Sequence, residues 1–437
     1  MERVKYLILG GGVTGLSCAG FLGSKDCVVL ERDRSVGGYC RSTLKDGFVW
    51  DRAGHFFHFR DSTIRDYLLE RMPRGSVREI TKEARIRYGG GLVDFPFQRN
   101  IHQLPKNEFL DCLYDLYFRA ENQSVGWAVP TDSTECERSM VGTAHPANFR
   151  DMVYARFGRS IAEKFLIPYN RKLHACDLDI LDADAMGRFF PQATMDDVVR
   201  GFKARDDRSY NSTFLYPEGG AVQFVNALLR DLDPSVVFTD EEVRSVRPDE
   251  KIVETSRRRI RYEYLISSVP FPHFLTLLDW RTGASGLTWS KVLVFNLGFD
   301  AKGPQGIHWI YFPEEKYRFY RVGFYDNLLG SERMSLYVEI GLERDHPVDP
   351  DWEMEAALRG LREAQIVQGQ RLVCSETVLL DPGYVHITKE SRRFFQEADR
   401  SLRSVGIYTV GRYGGWKYCS IEDNIVEAKT LAEDLSR

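Results

Sequence analysis

The chain has 437 residues, of which 43% are hydrophobic and 28% are charged, a balance typical of globular proteins. Its formal net charge of −4 gives no global reason to expect nucleic acid or an anionic membrane as a partner, so an anionic ligand must be held by local arginines. No apolar run reaches about 18 residues, which excludes a predicted transmembrane helix, and a chain of this length is expected to form several subdomains.

The cysteines and histidines predict neither a disulfide framework nor a metal site. Eight cysteines are scattered without a CxxC pair, and nine histidines form no HExxH array. This pattern is typical of free thiols in a reducing cytosol. The first predicted strand begins at the N-terminus and leaves no room for a signal peptide, so we expect a cytoplasmic protein.

The first predicted unit is a strand, a glycine-rich turn and a helix, with the pattern Gly-Gly-Gly-Val-Thr-Gly at 10–15. Bare glycines let a backbone approach a pyrophosphate, while the helix N-terminus supplies free N–H groups and a positive dipole end. A second strand, 27–30, is followed by an acid near the spacing expected for a partner of a ribose hydroxyl. The predicted dinucleotide-binding residues of this unit are Gly10, Gly12, Thr14, Gly15, Glu31 and Arg32.

A second glycine pair, Gly37 and Gly38, follows the acid and narrows the predicted dinucleotide to FAD. The pair lets the chain pass close to the pyrophosphate, and Arg41 can neutralise it. Flavoproteins related to amine oxidases carry this extension, whereas most NAD dehydrogenases do not. Gly38 and Arg41 are therefore predicted to bind the cofactor, and a tight turn with a surface arginine stays open as the alternative.

The pattern changes after this first unit. Short strands are predicted at 84–88 and 91–95, and residues 107–200 are mostly helical in pattern. The helical pattern is broken by a polar stretch with glycine and proline at 122–146. This stretch is predicted to be a loop and a candidate lid.

The second half of the chain returns to nucleotide-domain character. A buried parallel strand is predicted at 264–269, and residues 290–345 alternate with period two, which indicates an antiparallel sheet. Residues 406–437 predict a strand, a glycine-rich turn and a helix. The nucleotide-binding part is therefore predicted to be discontinuous, with substrate modules inserted into it.

Several separate segments point to one family. They are 54–58, 95–101, 168–172, 211–217, 309–314, 319–321 and 411–418. In this order, over nearly the whole chain, they resemble the flavoenzyme UDP-galactopyranose mutase, especially its eukaryotic type. The glycine-rich motif alone fits any FAD oxidoreductase, whereas the middle segments line the nucleotide-sugar pocket in that family.

The resemblance implies an α/β (α+β multidomain) fold with a Rossmann-like FAD-binding domain, an inserted helical bundle and an antiparallel sheet domain. The site would lie between these three parts. The predicted boundaries are 1–75, 200–290 and 400–437 for the FAD-binding domain, 100–200 for the helical domain, and 76–99 with 291–399 for the sheet domain.

The resemblance also implies an activity, that of an FAD-dependent isomerase. It would interconvert the pyranose and furanose forms of a UDP-sugar, with UDP-galactose as the first expectation, through an adduct between reduced FAD and the sugar without net redox change. NADH or NADPH would reduce the flavin in a transient visit. The implied partners are therefore the UDP-sugar and NADH or NADPH. No nucleic acid or membrane is expected as a partner, and the formation of a homo-oligomer stays open.

The implied catalytic residues are His55, Arg188 and Arg321. A departing diphosphate carries about two negative charges, and cationic side chains must offset its loss of water. Arg188 and Arg321 match the two diphosphate-facing arginines of the family. His55 lies, by resemblance, in a loop against the flavin ring.

The implied substrate site includes residues that suit a nucleoside. Gln98 and Asn170 can each donate and accept, as a uracil edge and a ribose hydroxyl require. Phe95 stands where the family more often has tyrosine, and His174 stands where it has tryptophan, so the base and the sugar stay open. Tyrosines suit phosphates because a phenol is a neutral donor at pH 7. The implied substrate-binding residues are Phe95, Gln98, Asn170, His174, Asn211, Tyr311, Tyr384 and Tyr418.

The flavin ring itself is expected to meet the C-terminal segment. A helix starting near Glu422 would direct its positive end at the flavin pyrimidine ring and so stabilise an anionic reduced flavin. The remaining implied cofactor-binding residues are Gly54, Val243, Arg412, Asp423 and Asn424.

Three other functions stay open from the sequence. The first is the same chemistry on another nucleotide sugar, and the second is an O₂-dependent amine oxidase or desaturase, because this fold hosts many reactions. The third is a flavoprotein that binds nucleotide sugars without turnover. The arginines and tyrosines favour a nucleotide sugar, since an amine site requires an aromatic cage or acids.

Overall fold

The computed structural model describes residues 1–118, 146–190, 195–202, 212–280 and 282–437. Asn211 and nearly all of the predicted loop 122–146 lie outside the described residues. The helices are α1 (Val13–Leu22), α2 (Ser62–Leu69), α3 (Lys106–Tyr117), α4 (Phe149–Ile161), α5 (Ile167–His174), α6 (Met195–Gly201), α7 (Val222–Leu229), α8 (Phe271–Leu277), α9 (Tyr325–Leu329), α10 (Pro350–Glu363), α11 (Lys389–Ser404), α12 (Gly411–Gly414) and α13 (Ile421–Leu435).

In the described ranges, the strands form two large sheets and two small ones. They are β1 (Glu2–Leu9), β2 (Cys27–Leu30), β3 (Ser42–Lys45), β4 (Phe48–Asp51), β5 (Val77–Thr81), β6 (Ala84–Tyr88), β7 (Gly91–Asp94), β8 (Thr213–Pro217), β9 (Val237–Phe238), β10 (Val243–Arg247), β11 (Ile252–Thr255), β12 (Arg259–Ser267), β13 (Trp289–Phe299), β14 (Trp309–Tyr311), β15 (Arg321–Phe324), β16 (Ser335–Glu343), β17 (Leu372–Val385) and β18 (Ile407–Thr409).

The first large sheet contains the glycine-rich unit at its centre. Its order is β10, β11, β12, β1, β2, β9, and β18 also pairs with β12. β1 lies parallel between β12 and β2, with Leu7 opposite Leu265 and Val28. Residues 6–9 and all of β2 are buried, as parallel strands covered on both faces must be. Helix α1, which follows β1, packs against α13, the last helix.

The strand predicted at 264–269 is the second half of β12, which begins earlier, at Arg259. The first half of β12 pairs antiparallel with β11, and the second half pairs parallel with β18, Leu265 lying opposite Ile407. One strand therefore joins a β-hairpin to a parallel sheet. The strand, turn and helix predicted for 406–437 are confirmed by β18, α12 and α13.

The second large sheet has the order β17, β13, β16, β15, β14, β6, β7. The antiparallel arrangement predicted for 290–345 is confirmed for β13 to β16. The edge differs, because β6 lies parallel to β14, with Ala84 opposite Trp309. The two strands come from distant parts of the chain, so no local pattern could give their relative direction.

The central strand β13 is buried along residues 290–299 rather than on one face only. Val292 and Val294 join the main hydrophobic core, whereas Leu293 and Phe295 join a second buried cluster that includes residues of α10. Alternate side chains of β13 therefore point to two buried faces of the sheet, instead of one buried face and one face in water. This burial makes β13 a rigid support for the strands beside it.

The helical part of the chain is more broken than its pattern predicts. Within the region predicted to be mostly helical, residues 149–174 are divided, since α4 ends at Ile161, residues 162–166 form a wide π-type turn, and α5 begins at Ile167. The helix α5 then packs against β16 of the second sheet. This contact brings the end of the helical part to the strands that carry the candidate site.

A buried aspartate ties the small sheet of β3 and β4 to the second large sheet and to the segment from β8 to α7. Asp51, at the end of β4, accepts from the Tyr216 hydroxyl at 2.9 Å and from the Ala221 N–H at 2.9 Å. Its backbone oxygen accepts from Nδ2 of Asn296, in β13, at 2.9 Å. Burial raises the pKa of Asp51 to about 6. These contacts fix the small sheet of β3 and β4 against the second large sheet.

The small sheet of β5 and β8 joins residues 77–81 to residues 213–217 in antiparallel pairing. It connects segments that the sequence assigned to two different domains, and the predicted domain boundaries stay a prediction. Within the described ranges, no helix is long and apolar enough to cross a membrane.

Candidate functional site

A cavity of about 870 Å³ lies where the first sheet, the C-terminal helix and the second sheet meet. Its volume is within the range of small-molecule and cofactor pockets. Part of its lining, called the dinucleotide end, comes from the glycine turns after β1 and β2 and from the start of β10. Another part, called the side-chain end, comes from β15, β16, the end of β17 and the residues before α13. Among the described residues, no group of His, Cys, Asp and Glu side chains could hold a metal ion.

The dinucleotide end of the cavity is built by backbone. Gly10 has a φ of +99°, and a Cβ on Gly15 would lie 1.9 Å from the carbonyl oxygen of Gly10, so the turn into α1 requires glycine. The second glycine pair lies directly on this turn, because the N–H of Gly37 donates to the carbonyl of Gly11 at 2.7 Å. The two motifs that the sequence placed in tandem thus form one continuous wall.

Glu31 supports this wall from the end of β2. One carboxylate oxygen accepts from the N–H of Gly11 at 2.9 Å, and the other accepts from the N–H of Asp33 at 2.9 Å. The same carboxylate lines the cavity, as the predicted ribose partner must. Its contact with a ribose stays a prediction.

Two arginines next to the second glycine pair carry more positive charge than their surroundings neutralise. Arg41 donates to the carbonyl of Gly38 at 3.0 Å and pairs with Asp33. Arg52 lines the cavity half-buried, and within the part of the chain that the structure describes no carboxylate lies within 4 Å of its guanidinium. Burial and the nearby Arg41 lower the pKa of Arg52. The sequence reasoning missed Arg52, although it directly follows a buried strand and precedes the 54–58 motif.

The C-terminal segment closes the cavity beside α1. The Asn424 Oδ1 atom accepts from the backbone N–H of Arg412 at 2.8 Å and from the Thr14 hydroxyl at 3.2 Å. Asn424 and Ile421 line the cavity at the first turn of α13, whose predicted start near Glu422 is confirmed. The positive ends of α1 and α13 are therefore both near the cavity.

Arg412 is the second cavity cation without an acid. Its guanidinium lies over the rings of Tyr418, Tyr384 and Tyr413, at 4.4, 5.3 and 5.9 Å from their centroids. One of its nitrogens donates to the carbonyl of Cys419 at 3.0 Å. In the described ranges no carboxylate lies within 4 Å of it. This arginine faces aromatic walls and is free to meet an anion.

Arg321 is held differently, by a carboxylate that sequence reasoning missed. Its Nε and Nη2 atoms donate to the two oxygens of Glu339 at 2.6 and 2.8 Å. The two residues lie opposite each other on β15 and β16, and both line the cavity. Burial acts to lower the pKa of Arg321, but the Glu339 carboxylate raises it well above its usual range. The pair is electrically neutral as a unit, which no spacing in the sequence indicated.

His55 enters the cavity wall as a neutral base. Its Nδ1 lies 3.1 Å from the carbonyl oxygen of Ala53. Since a carbonyl can only accept, Nδ1 carries the proton and Nε2 keeps its lone pair. Burial lowers the pKa of His55 to about 4, although Glu339 acts in the opposite sense.

Most predicted residues meet at this cavity. Those that line it are Gly10, Gly12, Thr14, Glu31, Arg32, Gly38, Arg41, Gly54, His55, Val243, Arg321, Tyr384, Arg412, Tyr418 and Asn424. The described residues that the structure does not bring to its wall are Gly15, Phe95, Gln98, Asn170, His174, Arg188, Tyr311 and Asp423.

Part of the second group packs in the interior beside Arg321. The ring of Tyr311 lies 4.9 Å from that of Phe95 and 5.2 Å from that of Tyr169, measured between centroids. Tyr311 is opposite Arg321 in the register of β14 and β15. These rings form an aromatic cluster next to the cavity rather than its surface. Asn170 is also buried, and its side chain donates to the carbonyl of Leu166, in the turn before α5, at 2.7 Å.

Arg188 and Asp423 pair with each other outside the cavity wall. The Arg188 side chain is 37% exposed and donates to the Asp423 carboxylate, which also caps α13 by accepting from the N–H of Ser420. The neighbouring ring of Phe189 lies 5.3 Å from that of Tyr418. Arg188 is therefore the sequence neighbour of a residue that packs on Tyr418, but its guanidinium is engaged by a helix cap.

His174 is buried with 2% of its surface exposed, at the end of α5. Neither ring nitrogen has a hydrogen-bond partner among the described residues. Burial lowers the pKa of His174 to about 3, so the ring is neutral. It lies 5.8 Å from Tyr384, which in turn stacks on Tyr418 at 6.1 Å.

The comparisons with known proteins agree with this architecture. Residues 8–70 match the family model described as the NAD(P)-binding Rossmann-like domain. This range contains the last two residues of β1 and all of α1 and β2. The match covers the glycine turns and Glu31.

Solved structures with the same fold come from several enzyme classes. A UDP-galactopyranose mutase in its reduced state is 24% identical, with 99% of this chain and 95% of that chain covered and a TM-score of 0.88. A candidate protoporphyrinogen oxidase from Exiguobacterium sp. 255-15 is 18% identical over 99% of this chain and 98% of that one, with a TM-score of 0.74. Cyclohexylamine oxidase from Brevibacterium oxydans IH-35A is 14% identical, with 99% of this chain and 100% of that chain covered and a TM-score of 0.69.

At these identities the likeness concerns the fold. The predicted α/β class with a Rossmann-like unit is confirmed, and so is the predicted structural resemblance. The chain shares its fold with UDP-galactopyranose mutase over nearly its whole length.

Proposed function

We propose that this protein is an FAD-dependent isomerase that interconverts the pyranose and furanose forms of a UDP-sugar, with UDP-galactose as the first substrate to test. The observation that carries the proposal is one continuous cavity that is lined both by the dinucleotide cradle and by Arg412, flanked by Tyr384 and Tyr418. A cofactor and an anionic substrate can meet there. The shared fold with UDP-galactopyranose mutase supports the same assignment.

The cradle fits FAD. The close contact of the two glycine turns leaves room for a pyrophosphate, and Arg52 offers a positive charge that no described acid neutralises. The N-terminal turns of α1 and α13 supply further N–H groups and positive dipole ends. When bound in its reduced form, with NADH or NADPH as the proposed reductant, FAD supplies the nucleophile for the anomeric carbon.

The residues at the side-chain end would hold the diphosphate as it departs. Arg412 would provide the net positive charge, because Glu339 already neutralises Arg321. Tyr384 and Tyr418 would donate from their hydroxyls, and their pairing with Arg412 keeps their rings in place. Charge that develops on the leaving group is stabilised by donors that are already oriented.

Arg321 and His55 would orient the substrate through hydrogen bonds rather than add net positive charge to the site. The paired Glu339 keeps the Arg321 guanidinium in one plane, with its remaining N–H groups available to an oxygen of the substrate. The neutral His55 can accept a hydrogen bond at Nε2 from a hydroxyl group. Both residues line the cavity.

An amine substrate is the second candidate, and Glu339 is the observation that favours it. A buried carboxylate among tyrosines is a site for an ammonium ion. Both of its oxygens, however, already accept from Arg321. The net charge offered at this end is positive because of Arg412, which favours the anionic nucleotide sugar.

The test is turnover by the purified flavoprotein. The protein is reduced with dithionite under nitrogen and given UDP-galactopyranose, and the nucleotide sugars are separated by chromatography. Conversion to the furanose form by the reduced and not by the oxidised protein supports the proposal. Absence of both UDP binding and conversion, with peroxide formed from amines in air, would move the protein to the oxidase class.

A further inference from the structure

We propose that Lys172 is a positioning residue whose ammonium group holds the loop 312–320 and thereby sets the places of Tyr311 and Arg321. The consequence for turnover rests on the proposed function, whereas the consequence for the loop does not. Lys172 belongs to α5, and the loop joins β14 to β15 in the second sheet. Lys172 lies within the 168–172 motif, whose pattern predicted no role for it.

A single ammonium group gathers the backbone of this loop. The Nζ atom of Lys172 lies 2.6 to 3.2 Å from four carbonyl oxygens, which are those of Phe312, Glu314, Tyr317 and Phe319. An ammonium has three N–H donors, so the four acceptors share them. All of these acceptors belong to one loop, which therefore curls around the side chain of a helix from another part of the fold.

The ends of the loop are the residues that matter at the cavity. Tyr311 is the last residue of β14, Arg321 is the first residue of β15, and the two are opposite each other in register. Arg321 lines the cavity, and the ring of Tyr311 packs beside it in the aromatic cluster. A displacement of the loop is therefore transmitted directly to the Arg321 guanidinium.

The backbone of Lys172 is fixed on the neighbouring strand. A Cβ on Gly341 would lie 1.9 Å from the carbonyl oxygen of Lys172, so α5 touches β16 at a point that only glycine permits. Gly341 is two residues from Glu339, the partner of Arg321. Lys172 thus contacts Glu339's strand with its main chain and Arg321's loop with its side chain, and it sets the distance between the two members of the pair.

Burial lowers the pKa of Lys172 to about 7, and the four carbonyl oxygens are the contacts that stabilise its charged form. A cation away from water is costly unless it is paired, and among the described residues no carboxylate lies within 4 Å of Lys172. The loop has other supports, since the rings of Phe312 and Phe319 pack 4.7 Å apart and Arg318 pairs with Glu353 of α10. These supports should keep the loop folded when the ammonium is removed, while its exact position is lost.

The experiment removes the ammonium group of Lys172 and measures the loop by hydrogen exchange and the site by ligand binding and turnover. Lys172→Met keeps an unbranched side chain that is one atom shorter and removes the ammonium group. Lys316→Met makes the same change at an exposed lysine of the same loop that pairs with Glu314 and lies over the ring of Tyr317. Hydrogen exchange of residues 309–324, flavin content, UDP affinity, kcat and KM are measured on the flavin-bound proteins. For Lys172→Met we expect faster exchange in this segment, unchanged flavin content and a loss of about 10²-fold in kcat/KM, the cost of a misplacement of about 1 Å. Lys316→Met should match the wild type.

The outcomes separate the two claims. A wild type that neither binds UDP nor converts UDP-galactose refutes the proposed function, and the exchange data still test the loop. Unchanged exchange in Lys172→Met overturns the claim that Lys172 holds the loop 312–320. Faster exchange with unchanged UDP affinity and turnover overturns the positioning role. If Lys172→Met does not fold, Lys172→Gln keeps two N–H donors, and we expect intermediate exchange and turnover, whereas wild-type values would overturn the proposal.

Discussion

The two ends of the cavity are built from different parts of the polypeptide. At the dinucleotide end the contacts are made by backbone, with Gly37 donating to Gly11 and the turn at Gly10 closed by Gly15. At the other end they are made by side chains, in the Arg321–Glu339 pair and in Arg412 with its tyrosines. A backbone site depends on local residues and tolerates distant change, whereas a side-chain site depends on every element that orients it.

The largest effect should follow from a change at the backbone end. Gly15→Val would place a Cβ 1.9 Å from the carbonyl of Gly10, so the turn cannot form and the purified protein should contain no flavin. The flavin absorbance of the protein measures this. Gly20→Ala, in the same helix, is the matched control because its Cβ would be 3.7 Å from the Tyr67 hydroxyl, an ordinary contact. Flavin retained by Gly15→Val would contradict the cradle.

The next effect should come from the side-chain end without loss of flavin. Arg321→Ala removes donors from the cavity and leaves the Glu339 carboxylate, 1% exposed, without its partner. We expect turnover to fall on the order of 10²-fold or more. We also expect the free energy of unfolding to fall by about 3–5 kcal/mol, the usual result of breaking a buried pair.

The double variant Arg321→Ala/Glu339→Gln separates these two losses. Neutralising the orphaned acid should restore part of the stability, measured by denaturant unfolding, but not the turnover. Full recovery of turnover would show that Arg321 acts only on Glu339. Equal stability of the single and double variants would show that the carboxylate finds another partner.

Buried histidines near the side-chain end predict a dependence of stability on pH. Burial lowers the pKa of His55 to about 4 and that of His174 to about 3. The unfolded chain binds protons at these groups below about pH 6.5 while the folded chain does not, so stability should fall as the pH drops from 6.5 towards 4. Thermal midpoints across this range measure the slope.

His174→Phe should flatten that slope, because it removes one of the groups that titrate only on unfolding. The matched change at His346, which is exposed, should leave the slope as in the wild type. Asp51 acts in the opposite sense, since its pKa is raised to about 6 and its contribution falls as the pH rises from about 4 to 6. An unchanged slope in His174→Phe would contradict the assignment of a neutral buried ring.

The smallest effect should come from a single hydrogen bond at the backbone end. Glu31→Gln keeps one acceptor for the N–H groups of Gly11 and Asp33 and loses the other. A hydrogen bond is worth about 1 kcal/mol net, so the Kd for FAD should rise several-fold, as measured by titration of the apoprotein. A loss of all flavin would mean that Glu31 does more than support the turn.

The contrast between the two ends explains what the sequence could predict. The glycine turns, Glu31 and the strand at 84–88 are local patterns, and the structure places them as expected. Arg52 was missed because its role depends on its unneutralised positive charge, and a sequence does not show which acids lie near an arginine in the fold. The parallel pairing of β6 with β14 was missed because direction between distant strands has no local signal.

The missed residues at the side-chain end are the products of long-range pairing. Glu339 meets Arg321 only because β15 and β16 are in one particular register. Lys172 is 140 residues from the first carbonyl that it contacts, so no spacing rule connects them. The resemblance to a family named several residues, such as Phe95 and Asn170, that the structure does not bring to the cavity wall.

The central claim is that a cofactor and a sugar diphosphate meet in this cavity and that the bond from the sugar to the diphosphate breaks there. UDP-galactopyranose labelled with ¹⁸O in the bridging position between sugar and phosphate tests it most directly. We predict that the reduced protein moves the label into non-bridging positions, that the oxidised protein does not, and that Arg321→Ala does so more slowly. Conversion of the sugar without movement of the label, or no binding of UDP at all, would contradict the account.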